Sequence, residues 1–495
     1  MRPRVIALTT SALASFCSHC SGPPQHGALK RCTRCRAIWY CDAECQNKDW
    51  AYHKTECEAL QRWATMAPSP ELSVPSDAIR CLGRVLWDRQ KKGPESEFVK
   101  EWNMLQSNKV ALQTSALEAY THLAHSVVRY VGATSPAELM PFGISSAGQL
   151  VDLISKFTTN TFTLTSPSLD PIGVCVAPTF ALLNHSCDPN AVLVFPRCAE
   201  VKTQEPRMNL IAIRPIGVDE EIFISYVDTT LPGESRRSAL QETYNFQCEC
   251  AMCREPVHPD PRQSIWCPKA CGGTCPVPSS EVDLVRCARC RAIVSSVDSV
   301  LDVVRIGQEA LDKANTLQFR DPEKSIKLTS NMLPILISSG LTPSCHPLLA
   351  LTRLHQELLM ASFTPDLTQD ILDKTIQAST NYSTGVSSIL TYGHPVRAAA
   401  LAELGKLLAV DEITPQDPSA TDRYPPSGPK RLRLAYETLV RAREELLIGF
   451  GKVNQGGSIG KEVREAIVRL EKELGVWTQG IRNALHDQRL AGPSK

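Results

Sequence analysis

Eight metal-ligand residues crowd the first 57 positions of the chain as four pairs: Cys17-x2-Cys20, Cys32-x2-Cys35, Cys41-x3-Cys45 and His53-x3-Cys57. Ligands two or three residues apart grip one tetrahedral ion from a single loop. Four pairs supply two zinc ions, and a segment this short needs them to fold. A disulfide framework would instead require an oxidising compartment.

The rest of the chain bounds the problem. A length of 495 residues predicts two to four domains. The 43% apolar and 21% charged residues are ordinary for a globular protein. A formal charge of +1 gives no drive toward nucleic acid or anionic membrane. Lys30, Arg31, Arg34 and Arg36 read as the solvated face of the first module. Most of the 20 cysteines sit in short pairs and triplets, which argues metal rather than disulfide. A reducing compartment, nucleus and cytoplasm, is therefore expected. No run of 18 apolar residues predicts a membrane span. The start resembles a signal peptide, but Thr9, Thr10 and Ser11 break its apolar run, and Pro3–Leu8 reads as a strand.

Composition then divides the chain. A polar connector with Pro68 and Pro70 follows Cys57. Residues 76–130 are helical, with Ile79, Leu82, Val85 and Leu86 at helical spacing. Residues 151–230 carry β-branched runs such as Ala191–Phe195 and Leu210–Ile213, and predict a compact β-rich domain. From about 296 the chain is helical, with helices predicted at Ser299–Leu317, Leu348–Phe363, Val396–Val410, Arg431–Phe450 and Val463–Leu485. A Pro-rich linker runs from Pro415 to Pro429, and the two-helix rhythm suggests an α-solenoid. Gly456–Lys461 looks phosphate-binding, but its spacing is one short of a P-loop and Glu462 stands where Ser or Thr must bind magnesium. A flexible turn between helices is expected there.

Three motifs carry chemistry: Asn184-His-Ser-Cys187-Asp-Pro-Asn190, Asp219-Glu-Glu-Ile-Phe-Ile-Ser-Tyr226, and Tyr244-x-Phe246-x-Cys248-x-Cys250-x2-Cys253. In this order they resemble the SET domain of protein lysine methyltransferases. With the four-pair module in front, which resembles a MYND finger, the chain is similar to the SET-and-MYND family. The resemblance covers roughly residues 1–255, and more loosely the helical remainder, where the family has a TPR-like domain. It implies an α+β multidomain fold in which a zinc-bound finger is inserted in a β-rich SET domain. The expected divisions are a SET strand at 1–16, finger at 17–57, helical insert at 58–150 and SET core at 151–230. A post-SET zinc segment at 231–255, a zinc ribbon at 256–295 and a helical TPR-like domain at 296–495 complete them.

The resemblance implies zinc and S-adenosylmethionine as cofactors and a protein lysine as methyl acceptor. It pairs Cys17, Cys20, Cys41 and Cys45 on one zinc, and Cys32, Cys35, His53 and Cys57 on a second. Cys248, Cys250 and Cys253 are only three ligands where a structural zinc wants four, and Cys187 is the natural fourth. Cys267, Cys271, Cys287 and Cys290 resemble a ribbon for a further zinc, with Cys275 an alternative to Cys271. Cys81, Cys175, Cys198 and Cys345 are expected in the core.

By the same resemblance Asn184, His185, Asn160, Phe246 and Asn108 would contact the cofactor. Phe162 and Tyr244 would line the lysine channel, and Tyr226 would be the catalytic tyrosine. Methyl transfer is an in-line displacement that depends on positioning. A narrow aromatic channel favours the neutral lysine it needs, and aromatic walls accept methylammonium products.

The chain departs from the family in two places. Ala181 lacks a hydroxyl often found there. The family's Gly-x-Gly segment precedes the finger, whereas this chain starts with what reads as the last strand of that half, implying an exposed sheet edge and an incomplete cofactor site. An alternative function follows: a scaffold docking Pro-rich peptides through the finger and helical domain. A monomer is expected.

Overall fold

The computed structural model describes residues 1–24, 27–111, 114–256, 259–363, 367–413 and 424–475. The last part of the Val463–Leu485 helix and most of the Pro415–Pro429 linker lie outside these residues. Strand β1 is Val5–Leu8, as the apolar run predicted. The finger follows with the hairpin β2 (Lys30–Arg31) and β3 (Trp39–Tyr40) and the long helix α1 (Ala43–Thr65). Asp42 caps α1, its carboxylate accepting from the Cys45 N–H, which fixes the turn that presents Cys45.

Helices α2 (Asp77–Lys92), α3 (Glu97–Asn103), α4 (Thr114–Val131) and α5 (Ala147–Asn160) come next. Serine side chains at 76, 96 and 146 cap α2, α3 and α5. The stretch from 151, read from sequence as β-rich, thus opens with the end of a helix. Leu150, Leu153, Ile154 and Phe157 repeat at helical spacing and are buried together.

Strands follow as β4 (Thr161–Thr165), β5 (Pro171–Val176), β6 (Asn184–His185), β7 (Ala191–Val194), β8 (Asn209–Ala212) and β9 (Phe223–Ile224). They form small sheets: β1-β5-β4, the β7–β8 hairpin, and a parallel pair of β6 and β9. Helices α6 (Gly233–Tyr244) and α7 (Ala251–Arg254) then lead to the hairpin β10 (Ser264–Trp266) and β11 (Thr274–Pro276).

The outer edge of β1 is not exposed. Val5–Leu8 are all buried and α2 lies against them. The buried Arg84 donates to the Ile6 carbonyl at 3.2 Å, and the buried Arg80 donates to the Leu8 carbonyl. Two guanidinium groups therefore satisfy backbone acceptors that a bare edge would leave to solvent or another chain.

The helical half comprises α8 (Val297–Leu317), α9 (Pro322–Ser338), α10 (Leu348–Ala361), α11 (Gln369–Ile389), α12 (Pro395–Leu408), α13 (Gly428–Gly449) and α14 (Gly457–Glu473). Each packs on its sequence neighbour, the pattern of a helical-hairpin array. Val194, with Val192 and Ile211 beside it, joins the core built by α11 to α14, so the β7–β8 hairpin is part of the helical packing. The glycine-rich turn before α14 is packed rather than loose. The Ser458 N–H donates to the Pro196 carbonyl at 2.8 Å. At Gly457, with φ +75°, a Cβ would stand 3.0 Å from that oxygen.

Cys81, Cys175 and Cys345 are fully buried as expected, whereas Cys198 is only half-buried and lies 3.4 Å from the Asn454 side chain. Inside the helical half, the buried His355 ring takes a 2.8 Å hydrogen bond with Thr329. Burial, then the Lys374 charge, push its pKa down to about 4. The unfolded chain therefore binds the extra proton between pH 6.5 and 4, and stability falls as pH drops through that window. Urea unfolding of the helical half is expected to lose about 1–2 kcal/mol from pH 7 to pH 5 through this residue. A His355→Gln variant with the same pH slope would contradict this.

Candidate active site

Asn190 ties the first two motifs together. Asn190 is completely buried between them. Its amide nitrogen donates to Glu220 Oε1 at 3.0 Å and to the Glu221 carbonyl at 2.8 Å. Its amide oxygen accepts from the Phe223 N–H at 2.8 Å. That clamp holds β6 parallel to β9, with Asn184 opposite Phe223 and His185 opposite Ile224.

Tyr226 follows directly. Its N–H donates to His185 Nδ1 at 3.0 Å, and its hydroxyl donates to the Leu183 carbonyl at 2.5 Å. With Nδ1 accepting, the His185 proton lies on Nε2, 3.4 Å from Cys187 Sγ. Burial, then the Arg236 charge, lower the His185 pKa to about 4, so the ring is neutral. Its side chain is thus committed to Tyr226 and Cys187, and what it offers a ligand is its backbone and ring face.

The third motif closes the site with aromatic rings. Tyr226 and Tyr244 lie 4.8 Å apart between centroids, and Phe246 stands edge-on to Tyr226 at 6.4 Å. Burial raises the pKa of Tyr244, and burial, then Tyr244 and Glu221, raise that of Tyr226. Both phenols keep their protons at neutral pH.

These rings open on a cleft of about 1080 Å³ whose walls include Asn108, Asn160, Phe162, Asn184 and Phe246. Asn184 donates to Glu221 Oε1 at 2.6 Å. Asn108 donates to the Tyr244 carbonyl at 3.1 Å, tying the loop before α4 to the aromatic segment. Asn160 donates to the Gln106 and Lys156 carbonyls at 2.8 and 2.7 Å. In each case the amide nitrogen holds the wall. Phe246 offers an aromatic face beside these amides, so the donor set fits a purine nucleoside carrying an amino-acid end. Every residue singled out for cofactor or lysine from sequence lines this one cleft.

The opposite wall comes from the helical half and carries no sequence motif. Arg353 lies between Glu357, at 2.6 Å, and Glu403, and stacks over Tyr382 at 5.2 Å. With Asp170 and Asp228, the lining carries four carboxylates against one guanidinium. Such a wall favours a cationic ligand. The only hint in sequence is the i,i+4 spacing of Arg353 and Glu357, which reads as a solvated helix pair.

The thiols group as the resemblance implied. Cys17, Cys20, Cys41 and Cys45 converge, as do Cys32, Cys35, His53 and Cys57, and Cys187, Cys248, Cys250 and Cys253, with ligand atoms within 4.8 Å of one another. Sulfur pairs stand 3.7 Å (Cys20–Cys41), 3.9 Å (Cys32–Cys57) and 3.6 Å (Cys187–Cys253) apart. A zinc–sulfur bond of about 2.3 Å sets tetrahedral edges near ~3.8 Å, whereas a disulfide needs about 2.05 Å. These sets therefore fit zinc. Cys267, Cys271, Cys287 and Cys290 converge likewise, with Cys275 outside the set. Burial pushes the Cys187 thiol up, and the buried Arg236 against it acts in the opposite direction, toward the thiolate that a metal would need.

A MYND finger model matches residues 17–57, and a SET domain model matches residues 40–227. The chain is 34% identical over 229 residues to the histone-lysine N-methyltransferase SMYD3 of Homo sapiens, covering 46% of this chain and 49% of the relative. It is 30% identical over 261 residues to the N-lysine methyltransferase SMYD2 of Gallus gallus, covering 50% and 52%. The chain thus spans about half the length of the curated relatives it matches.

Proposed function

We propose that this chain is a SET-and-MYND protein-lysine methyltransferase, and that it transfers a methyl group from S-adenosylmethionine to a lysine of a protein substrate. The observation that carries this is the convergence of three separated motifs on one cleft around the Tyr226 hydroxyl. When bound, S-adenosylmethionine supplies a methyl group on a cationic sulfur, ready for in-line displacement.

The chain's residues do the rest. Phe246 would offer a ring face to the adenine, and Asn184, Asn160 and Asn108 would hold the nucleoside and amino-acid ends. Phe162 and Tyr244 wall the lysine side chain, and their low-polarity surface favours the neutral amine that can attack. The Tyr226 hydroxyl, fixed on the Leu183 carbonyl, keeps its proton and turns a lone pair toward the amine and the polarised methyl. Alignment of nitrogen, carbon and sulfur is the main catalytic contribution. The acidic far wall suits a basic substrate segment.

The finer partner assignments are also proposed. Trp39 and the exposed Trp50 give the finger aromatic faces for a Pro-rich peptide. A reducing compartment, nucleus and cytoplasm, is part of the same proposal, supported by the many thiols in zinc-fitting sets.

Calorimetric titration of the zinc-loaded chain with S-adenosylmethionine tests the reading. One-to-one binding is expected, weakened by about 1–3 kcal/mol in Phe246→Ala through loss of stacking. Absence of binding to the unmodified chain would overturn the cofactor assignment.

A further inference from the structure

We infer that Cys267, Cys271, Cys287 and Cys290 hold a fourth resident zinc ion, in a ribbon that fastens the helical half of the molecule to the methyltransferase half. The inference rests on geometry and is independent of the proposed activity. The four sulfurs lie within 4.8 Å of one another, with edges of 3.5 Å (Cys267–Cys290) and 3.6 Å (Cys271–Cys287). Those lengths match the finger's own sets and the edge of a zinc tetrahedron.

The backbone repeats the finger's knuckle. After Cys17-x2-Cys20, Ser21 has φ +53° and donates its N–H to the Cys17 carbonyl at 2.7 Å. After Cys32-x2-Cys35, Arg36 has φ +53° and donates to the Cys32 carbonyl at 3.0 Å. After Cys287-x2-Cys290, Arg291 has φ +61° and donates to the Cys287 carbonyl at 3.1 Å. A side-chain-bearing residue rarely adopts this left-handed conformation, and here it recurs at the same place in all three pairs.

Backbone donors aim at the sulfurs as well. The N–H groups of Gly273 and Arg289 lie 3.4 and 3.3 Å from Cys271 Sγ and Cys287 Sγ. Such donors favour thiolates, the form that binds metal. A Cβ at Gly273 would stand 2.9 Å from Cys287 Sγ and 2.6 Å from Arg289 Cβ, so the strand passes the sulfurs at a distance only glycine allows.

The ribbon is also a fastener. The Trp266 N–H donates to the Gly340 carbonyl at 2.7 Å, and Ile265 bridges to Leu341. Cys267 and Cys287 share one core with Leu336, Leu341 and Leu351 of the helical half. Arg262, just before the ribbon, donates to the Thr229 carbonyl at 2.8 Å and the Ile389 carbonyl at 3.3 Å, joining the two halves directly.

Metal analysis of the purified full chain decides the matter. Four zinc ions per chain are expected in the unmodified protein and in Cys275→Ala, and three in the Cys287→Ser/Cys290→Ser double variant. Three in the unmodified protein would overturn the site, and this count stands even if the double variant fails to fold. Four retained in the double variant would overturn the ligand set. Hydrogen exchange at Leu341, Thr342 and Cys345 is expected to quicken at least tenfold in the double variant. Unchanged protection there would overturn the fastening role.

Discussion

Tyr226→Phe is expected to lower the proposed methyl transfer to a protein lysine by about 100-fold or more, with S-adenosylmethionine binding within a few-fold of the parent. The size follows from positioning: misplacing a reacting group by about 1 Å can cost 10²-fold. The phenylalanine keeps the ring contacts with Tyr244 and Phe246 at 4.8 and 6.4 Å. It loses only the hydroxyl and its 2.5 Å bond to Leu183. Stability falls by no more than about 0.5–1.5 kcal/mol, the net worth of one hydrogen bond. Rate and binding are read separately, by single-turnover transfer and by calorimetry. A variant as fast as the parent would remove Tyr226 from the chemistry.

The largest structural effect is expected at Arg84→Ala. Glu56 is fully buried, 3.4 Å from His53 Nδ1 and in contact with the Arg84 guanidinium. His53 Nε2 in turn lies 3.4 Å from Cys32 and 3.6 Å from Cys35. Arg84 also stands 3.5 Å from Asp49 and donates to the Ile6 carbonyl of β1. One guanidinium therefore links His53 of the second zinc-fitting set, through Glu56, to the sheet that carries β4 and Phe162. Removing it strands buried negative charge, which costs about 3–5 kcal/mol. Chemical denaturation reads that loss. The double change Arg84→Met with Glu56→Gln is expected to recover much of it, because both charges leave together. Equal losses in the single and double variants would contradict the charge account.

The cysteine sets were legible because a metal demands ligands at fixed short spacings, which survive any change in what surrounds them. Which pairs share an ion was not in the spacing. It needed the family resemblance, because the pairs interleave along the chain. Tyr226, Tyr244 and Phe246 were legible through the family resemblance alone, as residues of its motifs. The clamp made by Asn190 was not, because an Asn in a turn usually serves its own backbone.

Arg80 and Arg84 went unread because charged residues on a helix usually face water. They sit four apart on α2 and turn inward to the carbonyls of β1 and, for Arg84, to the buried carboxylates of Glu56 and Asp49. The far wall of the cleft was equally hidden. Arg353, Glu357 and Glu403 come from α10 and α12, and the packing of the helical half against the β7–β8 hairpin brings them to the cleft that Tyr226 also lines. Long-range packing of this kind leaves no local periodicity to read.

The most direct test of the central claim uses S-adenosylmethionine with a deuterated methyl group, the zinc-loaded full chain, and a panel of lysine-containing basic peptides and proteins. Mass spectrometry is expected to find the heavy methyl on lysine nitrogen, with the label falling about 100-fold in Tyr226→Phe. Cofactor bound one-to-one, with no heavy methyl on any lysine of a broad panel, would contradict the account.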